Sequence, residues 1–177
     1  MRGFKVELIV ETGEGLADAN SYTSLEFASN YFNSKGDEVW LLTSDLKQSY
    51  ALIAATEYID HTWGPRLKGR PLVSNQSREF PRSNCFDRYG KKIVGVPTTL
   101  QQACSLYALY STTASLWAAN STSGSAKEVL TEKVTVGPIT TETTYTESQK
   151  SNARLYFPQA DALMRQFLSG ANGGVIR

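Results

Sequence analysis

Apolar and polar residues alternate over residues 6–13 (VELIVETG), which predicts a short extended arm. Residues 11–24 (ETGEGLADANSYTS) are rich in Gly, Asp and Asn and predict a loop. The period then becomes helical. Leu25, Ala28, Tyr31 and Phe32 form one apolar stripe, predicting a first helix that starts at Thr23 or Ser24. Thr23 and Glu26 have the spacing of a capping box, and Gly36 is placed to end the element. A second helix is predicted from Asp45 to about His61. It carries two adjacent apolar faces: Leu46, Tyr50, Ile53 and Ala54 on one, Leu52, Ala55, Thr56 and Ile59 on the other. Such a wide surface predicts packing on two sides. Gly64-Pro65 stops it.

Residues 64–96 form a long connection rich in Gly, Pro, Ser, Asn and Arg, with Phe80 and Phe86 as its expected apolar anchors. Connections this long inside one domain are uncommon and often functional. A third helix is expected after Val96-Pro97, with Thr98 and Gln101 as its capping box, running to about 117–120. Leu100, Cys104, Tyr107, Ala114 and Trp117 supply its stripe, widened by Leu106, Leu109 and Tyr110, which predicts a place at the centre of the bundle. Residues 120–128 (NSTSGSAKE) read as a polar turn. Over 129–145 the period becomes two, with Val134, Val136, Ile139 and Tyr145 among the alternating positions and a break at Gly137-Pro138, so a β-hairpin or paired extended arms are predicted. A last helix starts near Pro158, buries Leu163, Met164, Phe167 and Leu168, and ends at Gly170.

The expected fold is therefore mainly α: a small helical bundle of about four helices with a β-hairpin and extended terminal arms. It is read as one domain over 1–177, comprising an arm and loop (1–22), a bundle (23–120) with a basic loop (64–96), a hairpin (129–145), a helix (157–169) and a tail (170–177).

Composition narrows the class. Hydrophobic content of 41% and mean hydropathy of −0.31 fit a folded soluble chain. No apolar run approaches the ~18 residues of a membrane span, and residues 1–13 have no small-residue cleavage site, so no membrane partner and no signal peptide are expected. Cys85 and Cys104 are read as free thiols in a reducing compartment. Net charge is +1, but it is unevenly placed. Residues 1–60 carry 4 cationic and 10 acidic side chains, whereas residues 61–100 carry 8 and 2. Opposite-signed segments can supply the two unlike patches of a head-to-tail interface.

Catalytic chemistry is hard to find. His61 is the only histidine and has no ligand cluster around it. There is no G-x-S-x-G, no P-loop and no dinucleotide fingerprint. Glu11, Glu14 and Asp18 lack calcium-loop spacing, and Glu57 with Asp60 reads as a solvated helix face. No enzyme, cofactor or metal is expected. The basic loop is the best candidate on physical grounds: Arg66, Lys68, Arg70, Arg78, Arg82, Arg88, Lys91 and Lys92, interleaved with Phe80, Phe86 and Tyr89. Cations contact phosphates and aromatic rings stack bases. Two other readings stay open: arginines paired with carboxylates of the first third of the chain, or a loop that meets the acidic surface of a neighbouring subunit. Trp40, Trp63 and Trp117 are read as core or interface.

Several stretches in order resemble a phage family of DnaT-like single-stranded DNA-binding proteins, members of which are head-tail connector (adaptor) proteins. They are LIVETGEGLADANSYTSLEFASNYF (8–32), ATEYIDHTW (55–63), FPRS (80–83) followed by Asp87 and Gly90, and VGPI (136–139). The chain departs from the pattern at Phe27, where a capping Glu is common, and in the polar insert 120–126. The resemblance implies a fold similar to HK97-type connectors and a virion protein at the head-tail interface, made in the host cytoplasm. Its partners would be itself, in a twelve-subunit ring, then the portal protein, a tail, nozzle or stopper protein, and double-stranded DNA passing through the channel without sequence specificity during genome ejection. Portal docking would fall to Gly170, Ala171, Asn172, Gly173, Gly174, Val175, Ile176 and Arg177. Val134, Val136, Ile139 and Tyr145, with the arm 6–13, would reach neighbours or the tail. The alternative function is single-stranded DNA binding by the loop 66–92.

Overall fold

The computed structural model describes residues 7–87, 89–117, 131–136, 139–144 and 156–170. The chain divides into two compact units, Met1–Leu116 with Tyr156–Arg177, and Trp117–Leu155.

The first unit is helical. It contains α1 (Leu25–Asn33), α2 (Glu38–Leu41), α3 (Asp45–Trp63), α4 (Thr98–Thr113) and α5 (Pro158–Met164), with 3-10 turns at Gly64–Arg66 and Arg165–Phe167. Short strands β1 (Arg70–Pro71) and β2 (Arg82–Ser83) pair antiparallel within the long connection. The second unit holds β3 (Thr131–Val136) and β4 (Ile139–Thr144), an antiparallel hairpin in register from Thr131↔Thr144 to Val136↔Ile139. The mainly helical class with one hairpin is as the periodicity predicts.

Helix α4 is central, with α3, α5 and α1 packed on it. Leu52, Ala55, Thr56 and Ile59 of α3 and Leu100, Ala103, Cys104 and Tyr107 of α4 are buried, and their alternation of small and large side chains lets the helices approach. Phe157 meets Tyr58, Tyr107 and Tyr110 with ring centroids 5.7, 5.5 and 4.9 Å away. The Tyr107 hydroxyl donates to Asp161 Oδ1 at 2.5 Å and accepts from Trp63 Nε1 at 3.0 Å, so these buried polar atoms are paired.

Five local expectations need correction. Helix α1 is capped by Ser24, whose Oγ accepts from Phe27 N at 3.1 Å, while Thr23 turns inward and is fully buried. At α4, Thr98 is already helical, Pro97 holds the cap position, and Gln101 Nε2 instead donates to Val96 O at 3.3 Å. Helix α4 also stops early, at Thr113, leaving Ala114 and Trp117 exposed. Ser111, Thr112 and Thr113 each donate to the carbonyl three residues back, at 2.8, 2.7 and 3.0 Å, which competes with continuation of the helix. The four-residue helix α2 was not expected, since one turn is too short to show a period; Asp37 caps it and Trp40 anchors it. Finally, only one of the two apolar faces of α3 is covered, because Leu46 and Tyr50 are about half exposed (48% and 50%).

The run over 7–13 is extended but tied to its own chain. Ile9 and Asn20 exchange bonds of 2.8 Å, and Glu11 N donates to Ser21 O at 2.8 Å. The buried Glu11 carboxylate then accepts from the amides of Gly13, Gly15 and Leu16 at 2.9, 2.9 and 2.8 Å. An acidic residue of the leading loop thus shapes its backbone. Gly13, at φ +100°, lies against Gly95, and a Cβ there would come within 2.8 Å of the Gly95 Cα.

Candidate nucleic-acid interface

The long connection is moored at its start and at its middle. Lys68 N donates to Phe167 O and Ser169 N to Arg66 O, both at 2.8 Å, which ties its start to the end of α5. Ser77 Oγ donates to Ala19 O at 2.7 Å, which ties its middle to the leading loop. Within this frame the cations divide into two sets.

Arg82 points inward and is buried. Its Nε donates to Lys68 O at 2.8 Å, Nη2 to Gly69 O at 3.0 Å, and Nη1 to Glu79 O at 3.2 Å and to the Glu79 carboxylate. Phe80 beside it is fully buried, and Phe80-Pro81 is a cis peptide. The Phe-Pro-Arg-Ser stretch is therefore an internal staple. Lys68 Nζ donates to Gln166 O at 2.9 Å and to Phe86 O at 3.4 Å. Arg78 Nε donates to Ala19 O at 2.9 Å, and its Nη1 lies 3.4 Å from Asp60 Oδ2. This last pair joins a loop arginine to a carboxylate of the first third of the chain.

The second set faces solvent. Arg70 is exposed on β1, and Arg66 is exposed with its guanidinium 5.7 Å from the Trp63 ring centre. Further on, Asp87 builds a tight turn. Its Oδ1 accepts from Tyr89 N at 2.8 Å and Lys91 N at 2.9 Å, and its own N donates to Lys91 O at 2.9 Å. Phe86 and Lys92 bridge across the base of this turn, and Gly90 supplies φ +79°. The result displays Phe86 (44% exposed), Tyr89 (79% exposed), Lys91 and Lys92 together. Phe86 is thus no anchor of the loop; Phe80 alone fills that role. Arg88 lies outside the described residues.

A cleft of about 360 Å³ opens beside the root of the loop, lined by Asp60, His61, Gln76, Arg78 and Glu79 among others. Asp60 is not the solvated carboxylate its spacing from Glu57 suggests: Glu57 is exposed, but Asp60 faces the leading loop and accepts from the Tyr22 hydroxyl. Burial raises its carboxyl to about 6, against the lowering effect of Tyr22, Arg78 and the Glu79 amide. The Tyr22 hydroxyl in turn accepts from Phe80 N at 3.1 Å and is itself raised well above its ordinary value, first by burial and then by the Asp60 charge. His61 is exposed at the end of α3, with Nδ1 2.8 Å from Glu57 O. Cys85 and Cys104 are both buried free thiols.

Of the other candidate positions, Val134, Val136 and Ile139 lie on the hairpin strands and Gly170 closes the last turn at φ +81°. Tyr145 and residues 171–177 lie outside the described residues. Sequence reasoning missed Tyr22 and Asp60 as a tie, since their partners are 38 and 18 positions away and no local pattern joins them. The Asp87 turn had a readable signal, because Asp-x-Tyr-Gly is a sequence that favours an Asx turn.

Residues 6–177 match the family described as Putative DnaT-like ssDNA binding protein. The chain belongs to this family. No curated protein and no solved structure matches it. Family membership covers the bundle, the basic loop and the hairpin alike; it says nothing of a head-tail connector.

Proposed function

We propose that this DnaT-like chain binds single-stranded DNA, with the turn at 85–93 as its principal contact. One observation carries the reading: two exposed aromatic rings, Phe86 and Tyr89, stand beside exposed Lys91 and Lys92 on a turn held by Asp87. Rings that stack bases next to cations that meet phosphates are the physical recipe for sequence-tolerant single-strand binding. Arg66 and Arg70 extend the cationic surface. Arg82 and Lys68 shape it from within. The test is fluorescence anisotropy of labelled oligo-dT across a salt series. A log–log slope of about −0.7 per phosphate contacted supports the reading, and no binding at 50 mM salt refutes it.

A second reading has its own observation. Val39, Leu41, Leu42, Leu46 and Tyr50 expose a run of large apolar side chains over α2 and the start of α3, with Leu42 84% exposed. Exposed apolar surface of this kind suits a protein partner. It favours a head-tail adaptor: a ring of copies, twelve by the resemblance, beneath the portal and joined to a tail, nozzle or stopper protein, in the virion. In that reading residues 170–177 dock on the portal and the hairpin reaches a neighbour. Native mass spectrometry with and without the portal protein separates the readings, since a ring favours the adaptor and a monomer indifferent to the portal removes it. Leu42→Glu should disperse such a ring while leaving DNA binding intact.

A further inference from the structure

The carboxylate of Asp60 is the knot between α3, the leading loop and the root of the basic loop. It accepts from the Tyr22 hydroxyl and pairs with Arg78 Nη1 at 3.4 Å. On its far side Arg78 is held by Ala19 O, 2.9 Å from Nε. Those bonds engage two of the five N–H donors a guanidinium carries. Arg78 lines an open cleft, so it is already in contact with solvent.

We propose that Arg78 is a reserve phosphate contact, masked by Asp60 and released to the DNA-binding surface when Asp60 takes up a proton. This rests on the single-strand reading above and adds its regulation. The geometry supplies the device. One carboxylate oxygen faces the cation, the other faces Tyr22, and the cleft gives protons a path from solvent. A phosphate of a bound strand competes with Asp60 for the same guanidinium. Protonation removes the competitor's charge and leaves the bidentate-capable cation to the phosphate.

The groups facing Asp60 do not blunt this. Burial raises the carboxyl to about 6, so it changes charge just below neutral pH. Tyr22 from the leading loop and Cys104 from α4 are both pushed upward, the thiol to about 12, and stay neutral throughout that range. Glu79, from the loop itself, adds a like charge that raises the Asp60 carboxyl further. His61 shares the cleft and is a second ionisable side chain there, so it needs its own control.

The experiment is oligo-dT anisotropy on the full chain at pH 7.5 and 5.5, each over a salt series, with Asp60→Asn, Arg78→Gln and His61→Gln. One added phosphate contact raises the salt slope by about 0.7, and roughly fourfold in affinity at 0.15 M salt follows from that slope. The wild-type chain should gain both at pH 5.5. Asp60→Asn, which keeps an acceptor for Tyr22, should have them at pH 7.5 already and lose the pH dependence. Arg78→Gln should bind as the wild-type chain does at pH 7.5 and gain neither slope nor affinity at pH 5.5. His61→Gln should behave as wild type. A chain that binds DNA but keeps the same pH profile in Asp60→Asn overturns the proposal alone, and so does a profile abolished by His61→Gln. No binding by any form at either pH overturns the single-strand reading and the proposal together.

Discussion

The root and the tip of the basic loop both set cations beside aromatic rings, yet their physics is opposite. At the root, Arg82 commits its guanidinium to Lys68 O, Gly69 O and Glu79, in near-complete burial. At the tip, Lys91 and Lys92 stand in solvent beside Phe86 and Tyr89. A count of cations along the chain treats these sets alike. Cations that satisfy buried carbonyls fix the shape of the loop, and the outward ones stand open to a ligand with no bond to release first. The difference also explains why a strongly basic segment sits in a protein of net charge +1 without being a polyelectrolyte arm.

The largest effect should come from the root. Arg82→Ala leaves three carbonyls without their donor and deprives the Glu79 carboxylate of its ion pair. Breaking buried charged networks costs about 3–5 kcal/mol; the half-open Glu79 moderates that to about 3 kcal/mol, read as a shift in the urea midpoint. Lys91→Ala should move the same midpoint by less than about 0.5 kcal/mol. Equal shifts for the two variants would erase the distinction between root and tip.

The Asp60 knot sharpens the comparison through pH. Its folded carboxyl sits at about 6, above the ordinary 3.8, so the folded chain binds this proton more readily than the unfolded one. Stability linked to Asp60 therefore falls as pH rises from about 4 through 6 and is recovered on acidification. A rise of that size corresponds to at most about 3 kcal/mol, and partial solvent access makes about 1–2 kcal/mol a better expectation. Urea midpoints for wild type and Asp60→Asn at pH 4.5 and 7 measure it. The variant should gain relative to wild type at pH 7; an unchanged difference between the two pH values removes Asp60 as the titrating group.

Tyr89→Ala tests the tip directly. A stacked base is worth about 1–3 kcal/mol, so Kd for oligo-dT should rise about fivefold to more than a hundredfold with no change in urea midpoint. Phe86→Ala should act in the same direction. A loss of stability matching the loss of binding would mean that these rings support the fold.

How much of this was legible follows from sequence distance. Helices α1, α3, α4 and α5 announced themselves by period, and the β3–β4 hairpin by alternation, since those signals are local. The turn Phe86–Lys92 was half legible, through its aromatic and basic residues. The staple role of Arg82 was not, because its partners Lys68 and Gly69 are 14 and 13 positions away and contribute only backbone carbonyls, which no side-chain pattern reports. The same holds for Asp60, whose tie to Tyr22 spans 38 positions. The exposed α3 face shows the converse: Leu46 and Tyr50 had core spacing, yet the described chain leaves them open. Apolar period shows where burial is available without naming what covers the face.

The smallest effect separates the sets most cleanly, because it is a slope and not an energy. Replacing Lys91 and Lys92 together by Ala should lower the salt slope of oligo-dT binding by about 1.4, at about 0.7 for each phosphate no longer neutralised. The fold should be untouched, as both side chains are exposed. Replacing Lys68 should leave the slope near wild type and loosen the loop instead, since its ammonium is committed to Gln166 O and Phe86 O. A slope that falls equally for Lys68 and for the tip lysines would mean that the strand runs over the root as well. The inward carbonyl bonds at the root would then be exchangeable for phosphates, and the line between framework and contact would move from the Asp87 turn back to β1.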